Sequence, residues 1–202
     1  MDIKTHKDDL PSDLNLGNEI AVDTEAMGLE FKRDPLTLVQ ISTGNDDCHI
    51  IQLNRKEYKA KNLVKILEDE KVNKIFHFAR FDVAVLKYTY KINIKNIYCT
   101  KIASKLGRTY TDNHGYKDLC RELLNVTISK IEQSSDWGGK LSKDQKEYAA
   151  TDVLHLHKIK NKLDTILERE NRIKIANACF EFISHRTDLD LHGWQDVDIF
   201  KH

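Results

Sequence analysis

Three short runs of aliphatic and β-branched residues follow one another early in the chain: Glu19 to Ala26 (EIAVDTEA), Leu36 to Ser42 (LTLVQIS) and Cys48 to Leu53 (CHIIQL). Each has the length of a strand, and Gly44-Asn-Asp-Asp47 separates the last two, so the pattern predicts a three-stranded meander. Downstream the periodicity changes. Asn62 to Glu70 has helical spacing, Lys74 to Phe78 (KIFHF) is a short apolar strand, Ala79 to Tyr90 is again helical, and Ile94 to Tyr98 supplies a fifth strand. Further helices are predicted near Thr100 to Leu106, Tyr116 to Leu124, Lys143 to Glu170 and Asn171 to His185. A sheet begun by antiparallel strands and continued by strands alternating with helices implies an α/β domain of three layers, its central mixed sheet flanked by helices.

The chain of 202 residues fits one domain spanning 1–202. The stretch from Arg186 to His202, with Trp194 and Phe200, reads as an irregular tail that packs on its own domain or on a neighbouring subunit. No segment approaches the roughly 18 consecutive apolar residues of a spanning helix, and the N-terminus lacks the layout of a secretion signal. A cytoplasmic protein without a membrane partner is the expectation. The four cysteines, Cys48, Cys99, Cys120 and Cys179, form no C-x-x-C pair, so reduced thiols are expected in place of bridges or zinc ligands.

The formal net charge is zero, which argues against a uniformly basic surface gripping long nucleic acid. Its distribution is uneven: residues 1–54 carry four Lys/Arg against eleven Asp/Glu, and residues 55–105 carry thirteen against five. The basic middle is either a solvated lysine-rich helix face or a phosphate-attracting wall beside an acidic pocket.

The acids themselves carry the chemistry. Asp23-Thr-Glu25 closes the first strand of the meander, and alternation puts both carboxylates on one face. Two like charges so placed repel unless one is protonated or a cation lies between them, and hard oxygen ligands suit Mg²⁺ or Mn²⁺. Asp82 stands near the start of the helix in His77-Phe-Ala-Arg-Phe-Asp82. Tyr148 and Asp152, four apart, share one side of a helix.

The order D-x-E, then D, then Y-x-x-x-D resembles the three motifs of the DEDD exonuclease superfamily in its tyrosine branch. The run Gln133-Ser-Ser-Asp-Trp137-Gly, with Leu141-Ser and Tyr148-Ala-Ala-Thr-Asp152-Val, is similar to the third-motif region of ribonuclease D. That likeness covers a core of about residues 15–170 and leaves a C-terminal helix and tail, 171–202, beyond it. The segments Phe76-His-Phe-Ala-Arg-Phe-Asp-Val-Ala-Val-Leu86, Tyr98-Cys-Thr-Lys-Ile-Ala-Ser104 and Asp198-Ile-Phe-Lys-His look closer to the short single-domain nano-RNase C members.

The resemblance implies a ribonuclease H-like fold and a 3′-5′ exonuclease acting on short single-stranded RNA, from dinucleotides to oligonucleotides, as a homo-octameric ring. Catalytic residues would be Asp23, Glu25, Asp82, Tyr148 and Asp152. The four acids would hold two divalent cations, Mg²⁺ or Mn²⁺, ~3.5 to 4 Å apart. Tyr148 would orient the attacking water, and nucleoside 5′-monophosphates would be released.

Substrate contacts are expected from Ala26, Met27, Gly28 and Leu29, with Gly28 admitting the backbone close to a sugar and Leu29 acting as a wedge between bases. The opposing reading has Met27 and Leu29 covering the core. Phe78 stands where many relatives have Asn, four residues before Asp82; His77 either takes over that contact or packs. Phe81 and Trp137 either stack a base or lie buried, and Lys101, Lys105 and Arg108 either meet a phosphate or decorate the surface. His155 and His157, two apart on a helix, cannot share a metal. Trimming of longer RNA in the manner of ribonuclease D, and action on DNA, are alternatives within the same chemistry. A non-catalytic nucleic-acid-binding module would be expected to have lost a carboxylate, and all four are present.

Overall fold

The computed structural model of the chain describes residues 1–128 and 137–202. Six strands form one sheet: β1 (Asp2–Lys7), β2 (Glu19–Ala26), β3 (Leu36–Ser42), β4 (Asp47–Gln52), β5 (Asn73–Phe76) and β6 (Ile97–Cys99), in the spatial order β1-β4-β3-β2-β5-β6. The meander β2–β3–β4 is antiparallel; β5 joins β2 and β6 joins β5 in parallel, through helical crossovers. The sheet is therefore mixed, as the change of periodicity requires. Every residue of β3 is buried, which explains why its sequence is a continuous apolar run without alternation.

The strand β1 lies outside the sequence expectation. It pairs in parallel with β4 at the sheet edge, and its residues DIKTHK are mostly exposed. A charged edge strand carries no hydrophobic alternation to read. Just beyond it, Asp9 accepts from the backbone N–H groups of Asn62 and Leu63, at 2.9 and 3.0 Å, and so caps a helix that has no capping side chain of its own.

The helices are α1 (Lys61–Glu68), α2 (Ala79–Tyr90), α3 (Thr100–Gly107), α4 (Tyr116–Leu124), α5 (Lys143–Leu154), α6 (Leu156–Arg169) and α7 (Ile173–Leu189), followed by a π-turn at Asp190–Trp194. The single helix expected over 143–170 is broken at His155. The Tyr116 hydroxyl occupies the break, donating to the Thr151 carbonyl at 2.6 Å and accepting from the His155 N–H at 3.3 Å. The strand expected over 74–78 stops at Phe76, because Phe78 adopts a left-handed conformation, φ 66°, at the entry to α2. The fifth predicted strand begins at Ile97, after Asn96 takes φ 50°.

Helices α5 and α6 pack on one face of the sheet and α2 on the other, with α7 lying along α2 and the β6 edge. Ile20, Val22, Leu38, Ile41, Ile50 and Ile75 are fully buried between the layers. The C-terminal stretch is more ordered than the sequence implied: α7 continues to Leu189, and the following turn is fastened to α2 of the same chain. Among the described residues, no helix is long and apolar enough to cross a membrane. Cys48, Cys99 and Cys120 are buried and Cys179 is exposed, all four as free thiols.

Candidate active site

The strand β2 runs through the centre of the sheet and loses its register with β3 between Glu25 and Ala26. Asp23 and Glu25 therefore emerge, side by side, where the pairing ends. On the same face lies α5, which begins at a capping box: Ser142 Oγ accepts from the Gln145 N–H at 3.0 Å and Gln145 Oε1 accepts from the Ser142 N–H at 2.9 Å. Ala149 and Ala150 are completely buried, and their small side chains let the helix settle against the strands. This close approach brings Asp152 to the two acids of β2. Carboxylate oxygens of Asp23, Glu25 and Asp152 lie within 4.8 Å of one another.

Asp82 approaches from the opposite layer. It is buried in the first turn of α2, and its Oδ1 accepts a 2.6 Å hydrogen bond from the Thr24 hydroxyl. Alternation turns Thr24 away from its two acidic neighbours, so a single tripeptide serves both faces of the sheet. Asp82 is outside the tight trio, yet close enough for its charge to act on Asp23.

Crowding shows in the proton affinities. Burial, reinforced by Asp82, Asp152 and Glu25, raises Asp23 well above the usual carboxylate range. Burial, then Asp152 and Asp82, pushes Glu25 up to about 8. For Asp82 burial again dominates, lifting it to about 7 against the opposing hydrogen bond from Thr24. The Tyr148 phenol is raised by burial and by the negative field of Asp152, Glu25 and Asp23. A cluster of half-buried carboxylates that resists ionisation in isolation is stabilised by a cation. The donor set, all oxygen and anionic, suits a hard divalent ion.

A family model described as 3′-5′ exonuclease matches residues 2–168, including all five of these side chains. The chain belongs to that family. Among solved structures this exonuclease is similar to Brucella melitensis NrnC, with 51% identity, a TM-score of 0.95 and full coverage of both chains. Other structures of the Brucella protein have it with bound Mg²⁺ and bound to pGG, each with a TM-score of 0.94. The ribonuclease D of Gluconacetobacter diazotrophicus is 31% identical over 155 residues, covering 76% of this chain and 39% of that protein. The chain spans less than half the length of the curated ribonuclease D relatives it matches. The mixed six-stranded sheet with flanking helices is thus the ribonuclease H-like fold of exonucleases.

Around the acids of the exonuclease, the remaining residues singled out by sequence divide. Leu29 is 79% exposed and Met27 43%, so neither is occupied in covering the core; Ala26 is half-buried at the bulge. Gly28 has a local reason as well: a Cβ there would stand 2.1 Å from Asp34 Oδ2. Phe81 is half-buried against the core, while its neighbour Phe78 is 46% exposed, with Lys101 Nζ 4.4 Å from its ring centroid. His77 has its Nδ1 2.9 Å from Thr100 Oγ1 and its ring 5.7 Å from that of Tyr116.

Two further residues are buried. Trp137 is 3% exposed, with its ring 6.0 Å from that of Tyr148, so it braces the tyrosine and presents no open face to a base. Arg108 is fully buried: it pairs with Glu122 and donates to Ser104 Oγ at 2.9 Å and to the Asn113 carbonyl at 3.0 Å, so it neither meets a phosphate nor lies on the surface. His155 sits at the helix break and His157 packs on Gly44. Gln133 to Asp136 lie outside the described residues. Sequence reasoning missed Thr24 as the partner of Asp82, and Tyr116 at the helix break; the first was signalled by a hydroxyl residue set between two acids.

Proposed function

We propose that the protein is a metal-dependent 3′-5′ exoribonuclease that hydrolyses short RNA, down to dinucleotides, to nucleoside 5′-monophosphates. The convergence of Asp23, Glu25 and Asp152 oxygens within 4.8 Å carries this reading, with Asp82 beside them. The four acids would hold two divalent cations, Mg²⁺ or Mn²⁺. When bound, such ions supply Lewis-acid activation of the attacking water and stabilisation of the departing 3′ oxygen.

The chain's own residues supply position. Tyr148, its proton held more tightly than in an ordinary phenol, orients the water by hydrogen bonding and does not act as a base at neutral pH. Trp137 fixes its ring. The exposed Leu29, presented by the turn after β2, leans on the terminal nucleotide, with Met27 and Ala26 beside it and His77 and Phe81 toward the scissile bond. Full-length likeness to a protein solved with pGG supports the short substrate. Assembly as a homo-oligomer, octameric as the resemblance to the short single-domain members implies, belongs to this proposal, as does the reading of 1–202 as one exonuclease domain.

A second reading, removal of nucleotides from longer RNA 3′ ends, is favoured by the curated relatives named ribonuclease D. Labelled RNAs of two, three, seven and thirty nucleotides, and a DNA dinucleotide, incubated with Mg²⁺ or with chelator, separate the two. Fastest hydrolysis of the RNA dinucleotide, abolished by chelator, is the expected result; preference for the longest RNA would select the second reading.

A further inference from the structure

The strand pair that carries the site contains one residue whose polarity nothing in the fold uses. Gln40, in β3, is fully buried, and both atoms of its carboxamide, Oε1 and Nε2, lack a hydrogen-bond partner among the described residues. Turning the amide over changes nothing, because its donor and its acceptor are both stranded. An apolar side chain of the same shape at this position would carry no such penalty. A buried polar group left in this state within a folded protein points to a bound ion or to a role in catalysis.

The register of the sheet gives the direction from which a partner comes. Asp23 stands directly opposite Gln40 on β2, and Ile50 stands opposite it on β4. Residues paired in this way share one face of the sheet, with Cβ atoms ~4.5 to 5.5 Å apart. Ile50 is fully buried and offers no polar atom. Along β3 the neighbours on that face are Leu38 and Ser42, and the Ser42 hydroxyl is already engaged, donating to Asp47 Oδ1 at 3.2 Å and accepting from the Gly44 N–H at 3.1 Å. The helix covering the face, α5, buries Ala149, Ala150 and Val153, which are apolar. Asp23 is therefore the polar group at hand, and it is one of the three acids whose oxygens converge within 4.8 Å.

We propose that Gln40 is a positioning residue of the cation site, acting through Asp23. When Asp23 serves as a ligand, lone pairs of its carboxylate not directed at the ion accept from Gln40 Nε2. That hydrogen bond fixes the orientation of the ligand from behind, as partners of metal ligands do elsewhere. The stranded amide destabilises the metal-free fold, and the loaded site gives it a partner, so cation affinity includes the recovery of this bond. Gln40 touches neither ion nor substrate. The inference rests on the reading that the acids hold divalent cations.

The test compares the wild type with Gln40→Met, Gln40→Leu and Ile50→Val by isothermal titration with Mg²⁺ and by thermal melting in chelator. The two Gln40 replacements remove the amide and keep most of its volume, so in chelator they should melt at the wild-type temperature or up to about 4 °C above it. Mg²⁺ should bind them about tenfold more weakly. The Mg²⁺ concentration for half-maximal hydrolysis of pGG should rise by the same factor, with kcat at saturating Mg²⁺ changed by less than about twofold. Ile50→Val, on the other flank of Gln40, should lower the melting temperature and leave Mg²⁺ affinity as it is. Wild-type affinity in whichever Gln40 variant folds overturns the inference, and so does an equal loss in Ile50→Val, which would make the effect one of core packing. Failure of both Gln40 variants to fold in chelator also overturns it, since the amide would then serve the metal-free core. A wild type that binds no Mg²⁺ overturns the cation site itself.

Discussion

Thr24 and Asp82, 58 residues apart in sequence, are joined by a 2.6 Å hydrogen bond from the Thr24 hydroxyl to Asp82 Oδ1. The bond ties the central strand to the helix of the opposite layer and fixes one rotamer of a buried acid. Thr24→Val keeps the shape of the side chain and removes the donor. Without it, Asp82 is left buried with one fewer partner and free to turn, so Mg²⁺ affinity should fall about 10- to 100-fold, as for other residues that orient a ligand. Isothermal titration with Mg²⁺ measures this, and an unchanged affinity would show that Asp82 needs no such support.

Metal removal should expose a pH dependence of stability. An acid whose folded pKa exceeds its unfolded value binds its proton more tightly when folded, so raising the pH through that interval destabilises the fold. For Glu25 the interval runs from about 4.5 to about 8; Asp82 contributes up to about 7, and Asp23 acts in the same direction. In chelator, the melting temperature should therefore decline as pH rises from 5 to 8, by roughly 2 to 4 °C for each kcal/mol lost. Saturating Mg²⁺, which binds the ionised acids, should flatten the decline. Equal slopes with and without metal would separate the acids from cation binding.

Asp152→Asn and Tyr148→Phe should behave differently although the residues share one helix face. Asp152 is one corner of the carboxylate trio, and its amide should abolish hydrolysis while raising the melting temperature in chelator, because one of the mutually repelling charges is gone. Tyr148→Phe retains the ring that Trp137 braces and loses the hydroxyl that orients water. A fall in kcat of about a hundredfold, with residual turnover, is expected. Normal release of mononucleotides by the Asp152 variant would remove it from the ligand set.

The meander and α2 were legible because each depends on local periodicity, whereas the five motif residues were picked out by the resemblance of their order, D-x-E, then D, then Y-x-x-x-D, to the exonuclease motifs. What escaped depends on contacts distant in sequence. The edge strand β1 has one partner and is mostly exposed, with Ile3 its one apolar residue against the core, so DIKTHK shows no alternation. The break at His155 contains neither Gly nor Pro and is stabilised by the hydroxyl of Tyr116, 39 residues away. The order of the C-terminal turn comes from Arg80 across a separation of 110 residues. At the site, the motif resemblance named the acids, but the approach of Asp82 through Thr24, from the helix α2, emerged only from the packing of two layers.

Gly28 offers a separable test of how the turn after β2 is built. A Cβ at this position would lie 2.1 Å from Asp34 Oδ2 and 2.6 Å from Asp34 Cγ. That same oxygen accepts from the Glu30 N–H at 3.0 Å and from Arg33 at 2.8 Å, so Asp34 organises the loop that presents Leu29. Gly28→Ala should displace the Asp34 carboxylate and weaken dinucleotide binding about tenfold, with little change in melting temperature because the loop is exposed. A double-mutant cycle with Asp34→Ala assigns the cause. If Gly28 serves only to make room for Asp34, Gly28→Ala adds nothing once Asp34 is truncated. If instead its backbone approaches the sugar, the tenfold loss persists in the Asp34→Ala background. The measured quantity is the affinity for pGG in Ca²⁺, an oxygen-seeking cation used here to hold the substrate while hydrolysis is checked in parallel. The 2.1 Å approach favours the first outcome, in which the glycine makes room for Asp34 in the loop that presents Leu29.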